Sequence, residues 1–380
     1  MSKNIYLDNA ASTKVCEEAT EAMLRVMKES FGNPSSMHEY GRRAKSELET
    51  ARKNVADALG AKPENIYFTS GGTEANNWAI LGTAEALSRK GKHIITTAIE
   101  HSAVTEPIKK LENQGWEVTY LMPDNTGRIP TEAFTKALRQ DTVFASIMLV
   151  NNDTGAVNNI SEYKSEIKRC RLNTLLHTDA VQGMCKIPFS VKTLEADLIA
   201  VSSHKLHGPK GIGALYVKDG IKLAPLILGG SHEKGIRGGT EPLPAAVGFG
   251  EAAKLGNLKI KDNMAKVRET REYTVKLLKT KLPEIVFIGE GDSPYLLCIS
   301  LPGYKGEVLM NYLDNEGIYV SRSAACKKGA RSRTLEAMRL KNEIIDSALR
   351  VSFSRYNTKE EAEHFVKVLK TASQTLYKSL

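Results

Sequence analysis

At 380 residues the chain is too long for one simple core and suits two domains, or one large and one small. With 41% hydrophobic and 26% charged residues, no low-complexity tract and no internal repeat, it reads as an ordinary globular protein rather than a disordered or repeat-built one. The formal charge of +9 permits an acidic partner, but Lys and Arg are mixed with Asp and Glu almost throughout and no basic stripe interleaves with aromatics, so direct nucleic-acid binding is not expected.

"MSKNIYLDNAAS" enters strand-like sequence without the apolar core of a signal peptide, and no apolar run approaches membrane-spanning length. The expected compartment is the cytoplasm, with no membrane partner. "SELETARKNVADALG" (46–60) has helical spacing and a glycine stop, and the strand "NIYFTS" follows. "EANNWAILGTAEALSRKG" is again a helix, followed by "KHIITTAIEH", "EVTYLMP", "VFASIMLVNND", "TLLHTDAVQ", "DLIAVSSHK" and "GALYV". Apolar, β-branched runs alternating with helices imply an α/β fold with a mostly parallel sheet covered on both faces. The five cysteines, Cys16, Cys170, Cys185, Cys298 and Cys326, lack the spacing of a zinc, iron–sulfur or thioredoxin-type site, and no metal is expected.

The strand ends carry the chemistry. Each run finishes in polar residues, and in open α/β sheets ligands bind beyond the carboxyl ends of the strands. One pocket lined by Thr73, His101, Asn152, Asp179, Gln182, Ser202, His204 and Lys205 is therefore expected. "SGGTEANN" (70–77) is a glycine-rich turn opening a helix, an anion cradle that matches neither the dinucleotide fingerprint nor a Walker lysine motif. Ser202 and His204 add phosphate donors. Lys205 stands at the end of an apolar strand, a costly place for an ammonium.

A phosphate cradle, an aspartate and a lysine together describe pyridoxal 5′-phosphate: an amine for its aldehyde, a carboxylate to keep its ring nitrogen protonated. Asp179 fits the second role, and His101 is placed to lie against the ring. Gln182 and Asn152 can hydrogen-bond the ring hydroxyl and a substrate carboxylate. Taken alone each has a plainer reading, as a glycine turn, a helix cap, a loop histidine or a satisfied buried amide. The combination carries the case.

"YLDNAAST", "FGNPSSMH", "FTSGGTEANN", "EHSAV", "VNNDTGAV", "HTDAVQ", "SSHKLHGPKGIGALYV", "GGSHEKGIRGGTEP", "SAAC" and "LRVSFSRYNTKEE" occur in that order along almost the whole chain. In them the sequence resembles the class V, fold-type I pyridoxal-phosphate enzymes, and most closely the cysteine desulfurases of the NifS/IscS type. The resemblance implies that Lys205 binds the cofactor's aldehyde, His101 stacks on the ring and handles protons, Asp179 pairs with the ring nitrogen and Gln182 with the ring hydroxyl. Gly72, Thr73, Ser202 and His204 would hold the phosphate. Thr240 would reach the phosphate of a second subunit, which implies a homodimer. Asn152 and Arg350 would hold the carboxylate of L-cysteine, and Cys326, among Arg322, Lys327, Lys328, Arg331 and Arg333, would take its sulfur as a persulfide. A sulfur-acceptor protein, a scaffold or a tRNA-thiolation enzyme, would receive it, serving iron–sulfur cluster assembly or tRNA thiolation.

The implied architecture is a large cofactor-binding domain over 15–255, with 1–14 and 256–380 forming a smaller C-terminal α/β domain that carries Cys326 and Arg350. A mobile loop is expected around 322–334, and a helical stretch over "RTLEAMRLKNEIIDSALR". Asp153 stands where this family usually has glutamate and Lys14 where proline is usual. Neither is expected to touch the cofactor site. The rivals are another class V enzyme, a selenocysteine lyase or an aminotransferase, and a basic RNA-binding or scaffold protein that keeps the fold without activity.

Overall fold

The computed structural model describes residues 4–322 and 331–378. The apolar runs build its main sheet. Ile5–Tyr6 (β1) stands apart, and Ile66–Thr69 (β2), His93–Thr97 (β3), Glu117–Leu121 (β4), Thr142–Ser146 (β5), Leu175–Asp179 (β6), Leu198–Ser202 (β7) and Gly213–Val217 (β8) assemble in the order β2-β8-β7-β6-β5-β3-β4. Strands β4, β3, β5, β6 and β7 are parallel to their neighbours in that row, while β8 runs antiparallel to both β2 and β7. Thus β2 points the same way as β7, and the carboxyl ends of β2, β3, β5, β6 and β7 share one edge. Strands β3, β5, β7 and β8 are buried along their whole length, as expected for a sheet covered on both faces.

Helix Glu39–Leu59 starts earlier than the periodicity of 46–60 indicates, because His38 accepts the Gly41 N–H as its cap. It stops at Gly60, whose φ of 65° suits a residue without Cβ. A Cβ on Gly213 would lie 2.6 Å from the Val201 carbonyl oxygen and 2.7 Å from the Gly71 carbonyl carbon. Glycine there lets β8 begin directly under the 70–73 turn.

The rest of the chain forms a second sheet. Val286–Ile288 (β9), Leu296–Ser300 (β10), Ser321–Arg322 (β12) and Ala348–Ser352 (β13) pair antiparallel in the order β12-β13-β10-β9, and Ile318–Tyr319 (β11) pairs parallel with β1. Ile5, Leu7, Leu297, Ile299, Leu349, Val351, Phe365 and Leu369 share its core. The N-terminal segment is sewn into this sheet: the Ser352 N–H donates to the Leu7 carbonyl at 2.7 Å and the Ala10 N–H to Ser352 Oγ at 2.9 Å.

The expected helical stretch over 333–350 is corrected. It holds two short helices, Arg333–Ala337 and Asn342–Asp346, then β13. Arg339 sits in the left-handed region at φ 57°, which ends the first helix, and the alternation in "ALRVS" sends Leu349 and Val351 to the core as a strand. Among the described residues no helix is long and apolar enough to cross a membrane.

Two buried groups in this framework give testable consequences. The first lies at β2, an edge of the main sheet, where the Phe68 N–H donates to Glu233 Oε2 at 3.0 Å and the Ile66 carbonyl accepts from Arg52 at 2.9 Å. Arg52 and Glu233 grip each other through two bonds of 2.8 and 2.9 Å, so a buried ion pair does for this edge what a neighbouring strand would do. Glu233→Ala leaves Arg52 only its longer contact with the exposed Glu49 and the Phe68 N–H without its acceptor, and should lower the unfolding free energy by about 3–5 kcal/mol in urea titrations. Asp57→Ala, which breaks the exposed pair with Lys53, should cost less than about 1 kcal/mol.

The second is Glu100, just beyond β3. It accepts from the Met148 N–H and Thr97 Oγ1 but is buried, which pushes its pKa up to about 8. Between its ordinary value and pH 8 the folded state holds a proton that the unfolded state has lost, so this residue subtracts stability as pH rises. Glu100→Gln should therefore stabilise the protein increasingly from pH 5 to pH 8, on the order of a few kcal/mol at the upper end, in denaturation midpoints compared with wild type.

Candidate active site

The glycine-rich turn leads directly into helix Gly72–Leu87. A Cβ on Gly72 would meet Val181 at 2.8 Å and Ser202 at 3.3 Å, so the turn rests against the ends of β6 and β7 and its N–H groups stay bare of side chain. One helical turn on, Asn76 Nδ2 donates to Asp179 Oδ2 at 2.7 Å. Asn77 Nδ2 donates to the Ala103 carbonyl at 3.2 Å. That carbonyl would ordinarily accept from residue 107, which is Pro107 and has no N–H. The proline thus frees an acceptor that ties helix Gly72–Leu87 to helix Ser102–Asn113.

His101 is the N-cap of that second helix. Its Nδ1 accepts the Ala103 N–H at 3.1 Å, which leaves the ring proton on Nε2. Desolvation pulls its pKa below the usual value; Asp179 and Asp153 oppose this, while Lys205 and Arg333 add to it. Asp179, at the end of β6, is buried, and burial pushes its pKa up against the Val181 N–H, His101, Asn76 and Lys205. A cationic group brought against it would restore the charged form.

Lys205 closes the short 3₁₀ turn after β7 and turns toward the N-terminal segment. Its Nζ donates to the carbonyls of Ala10 at 2.6 Å and Ala11 at 2.8 Å. Gln182 Nε2 donates to the same Ala10 carbonyl at 2.9 Å. His204 is joined through Nδ1 to Ser12 Oγ at 3.3 Å, and burial, then Lys205, Lys210 and Lys186, bring its pKa down to about 4. It would offer an anion a hydrogen bond rather than a charge.

Arg350 reaches the site from β13. Its guanidinium donates to the Asn152 carbonyl and to Asp8 Oδ1, each at 3.1 Å, and lies 3.7 Å from Asp153 Oδ1. Asn152 Nδ2 donates to Asp153 Oδ1 at 3.0 Å and Ser332 Oγ to Asp153 Oδ2 at 2.9 Å. Asp153, set aside by the sequence reading, therefore belongs to this cluster: strand register brings Arg350 to it from the far end of the chain. Cys326 lies outside the described residues, as do residues 323–330 of the expected mobile stretch. The flanks are fixed, since Ser321 pairs with Arg350 across the sheet and Arg331 makes two bonds to Asp346.

The structure thus brings together Gly72 with Ser202, Asp179 with Asn76, Lys205 with Gln182 through Ala10, and Asn152 with Arg350. Thr240 is exposed and no contact among the described residues draws it in, although Arg237 nearby grips Glu74 of the phosphate turn at 2.8 and 3.1 Å. The donor set fits pyridoxal 5′-phosphate. A bare glycine cradle, a desolvated carboxylate and a strand-end amine converge, and Asn76 Oδ1 and Arg350 Nε are buried without a partner among the described residues. Asn76 and Asp8 were missed by sequence reasoning. Asn76 was discoverable, being one helical turn from Gly72 and so on the face toward the strand ends.

The profile of the aminotransferase class-V family matches residues 5–365. A cysteine desulfurase IscS of Dictyoglomus turgidum is 40% identical, over 99% of this chain and 96% of its own. Among solved structures, a NifS-like protein superposes with a TM-score of 0.94 at 36% identity, covering 98% of this chain and 100% of the other. SspA in complex with cysteine gives 0.80 at 32% identity, over 93% and 100%. With the family profile spanning nearly the whole chain and these likenesses running end to end, the chain belongs to the class-V aminotransferase family and, within it, to the cysteine desulfurases of the IscS/NifS type.

Proposed function

We propose that this chain is a pyridoxal-phosphate-dependent desulfurase that converts L-cysteine to L-alanine and keeps the sulfur as a persulfide on Cys326. The observation that carries the reading is the strand-end amine of Lys205 set beside a desolvated Asp179 and an arginine clamp. When bound, pyridoxal 5′-phosphate supplies an aldehyde for a lysine amine and a ring that draws electrons from the substrate's Cα. Gly72, Thr73, Ser202 and His204 would hold its phosphate, Asp179 its ring nitrogen, Gln182 its ring hydroxyl, and His101 its ring face. Lys205 holds and moves the Cα proton at Nζ, once it leaves the Ala10 and Ala11 carbonyls. Arg350 and Asn152 orient the substrate carboxylate, so that one bond at Cα is presented. Overall, the Cys326 thiol and L-cysteine give a Cys326 persulfide and L-alanine, with the substrate's C–S bond broken and an S–S bond formed.

The segment carrying Thr240 supports a homodimer in which this threonine serves the partner's phosphate, with 15–255 as the cofactor-binding domain. The persulfide would pass in the cytoplasm to an acceptor protein, a cluster scaffold or a tRNA-thiolation enzyme.

The test is release of alanine and sulfide from L-cysteine with a reductant, comparing wild type with Cys326→Ala and recording visible spectra. Both should hold the cofactor, and only wild type should turn over. Equal activity in the variant would make the chain some other class-V enzyme. Arg350→Lys loses the bidentate grip and should raise KM for L-cysteine by about 10- to 100-fold with the cofactor band intact, read from steady-state kinetics.

A further inference from the structure

Lys186 follows Gln182 by four residues in the turns after β6, and only 6% of its surface is exposed. Its Nζ donates to Gln182 Oε1 at 2.8 Å and stands 5.9 Å from the centre of the Tyr295 ring. Burial brings its pKa down to about 7, and the charges that add to this are both cations, Lys205 and Arg350. Arg355 and His207 line the same small cavity beside it, and among the described residues its wall contains no carboxylate. For packing alone an apolar side chain of this length would serve better, since a buried amine facing cations opposes folding. The position therefore calls for another explanation.

Gln182 supplies one. An amide can face either way, with its oxygen and NH2 exchanged. In its ammonium form lysine only donates, so below its pKa the bond from Lys186, together with the acceptor-only Ala10 carbonyl, holds the Gln182 oxygen on the lysine's side and the NH2 on the opposite one. There Nε2 donates to the Ala10 carbonyl at 2.9 Å, the carbonyl that also accepts from Lys205 at 2.6 Å. A chain of hydrogen bonds runs from Lys186 through Gln182 to Ala10, where Lys205 meets it. One N–H of Gln182 is spent on Ala10; the other remains as the amide's offer to a ligand.

We infer that Lys186 is a positioning residue of the cofactor site: it locks the Gln182 amide so that this residue acts only as a donor toward the cofactor's ring hydroxyl. The inference rests on the pyridoxal-phosphate reading above. Lys186 itself need not touch the cofactor.

The experiment uses the full-length protein with pyridoxal 5′-phosphate as the probe, in wild type, Lys186→Met, Gln182→Leu and the double variant. Three quantities are measured: the cofactor dissociation constant, the position of the visible band, and the urea midpoint of the cofactor-free protein. At pH 6.5, where Lys186 is mostly protonated, Lys186→Met should weaken cofactor binding about tenfold, the loss of one hydrogen bond from a charged donor. It should shift the band as Gln182→Leu does, and the double variant should be no worse than Gln182→Leu alone. The urea midpoint should hold or rise, because a buried cation has been removed. Multiplying losses in the double variant, a wild-type constant and band in Lys186→Met, or a falling urea midpoint would each overturn the inference while the cofactor reading stands. A wild-type protein that forms no visible band with the probe would overturn both.

Discussion

An ammonium group at the end of a buried strand must find oxygen atoms, and in this chain two backbone carbonyls answer that need. Ala10 and Ala11 accept from Lys205, and their own placement depends on the N-terminal segment being stitched to β13 through Leu7, Ala10 and Ser352. The strand that supplies Ser352 also supplies Arg350, two residues earlier. A single segment thereby sets the lysine of one sheet and the arginine of the other in a common frame. Asp8, in the same segment, gives the arginine one of its carboxylate partners. The amine and the carboxylate clamp cannot be displaced independently without breaking this stitching, and that mutual registration is what a reaction at a single Cα requires.

A similar economy governs the other side of the site. The Asn77 bond to the carbonyl left over by Pro107 makes the two helices that begin with Gly72 and after His101 into one unit. Asn76 adds the link to Asp179. The glycine turn, the helix-capping His101 and the buried carboxylate are thus braced by one helical turn of asparagines. Electrostatics follow from this closeness. Desolvation lowers the His101 pKa and raises that of Asp179, which is poised to pair with a cation such as a ring nitrogen.

Much of this was legible in the sequence for a physical reason. Each parallel strand is an apolar run that ends abruptly in polar residues, so His101, Asp179 and Lys205 announce a common edge before any coordinates exist. The glycine turn was legible in its own residues, and Arg350 through the family resemblance. What stayed hidden acts through the backbone or through register. The carbonyls of Ala10 and Ala11 leave no side-chain signature. Asp153 looked like a neutral substitution because its partners, Arg350 and Ser332, arrive from the other end of the chain. Nothing in the sequence marks Lys186 as a buried lysine, since burial is not written in composition. The stretch over 333–350 misled for a related reason: its apolar spacing suits a helix as well as two short turns and a strand, and only the pairing of β13 with β10 decides between them.

The ion pair over β2 also bears on how the protein behaves in company. An open sheet edge is an invitation to another chain, because its unpaired N–H and carbonyl groups will accept any strand that comes alongside. Here Glu233 and Arg52 occupy those groups with side chains that no incoming strand can match in both charge and geometry. The pair is therefore a guard against edge-to-edge association of folded copies, whose edges meet whenever the protein is concentrated.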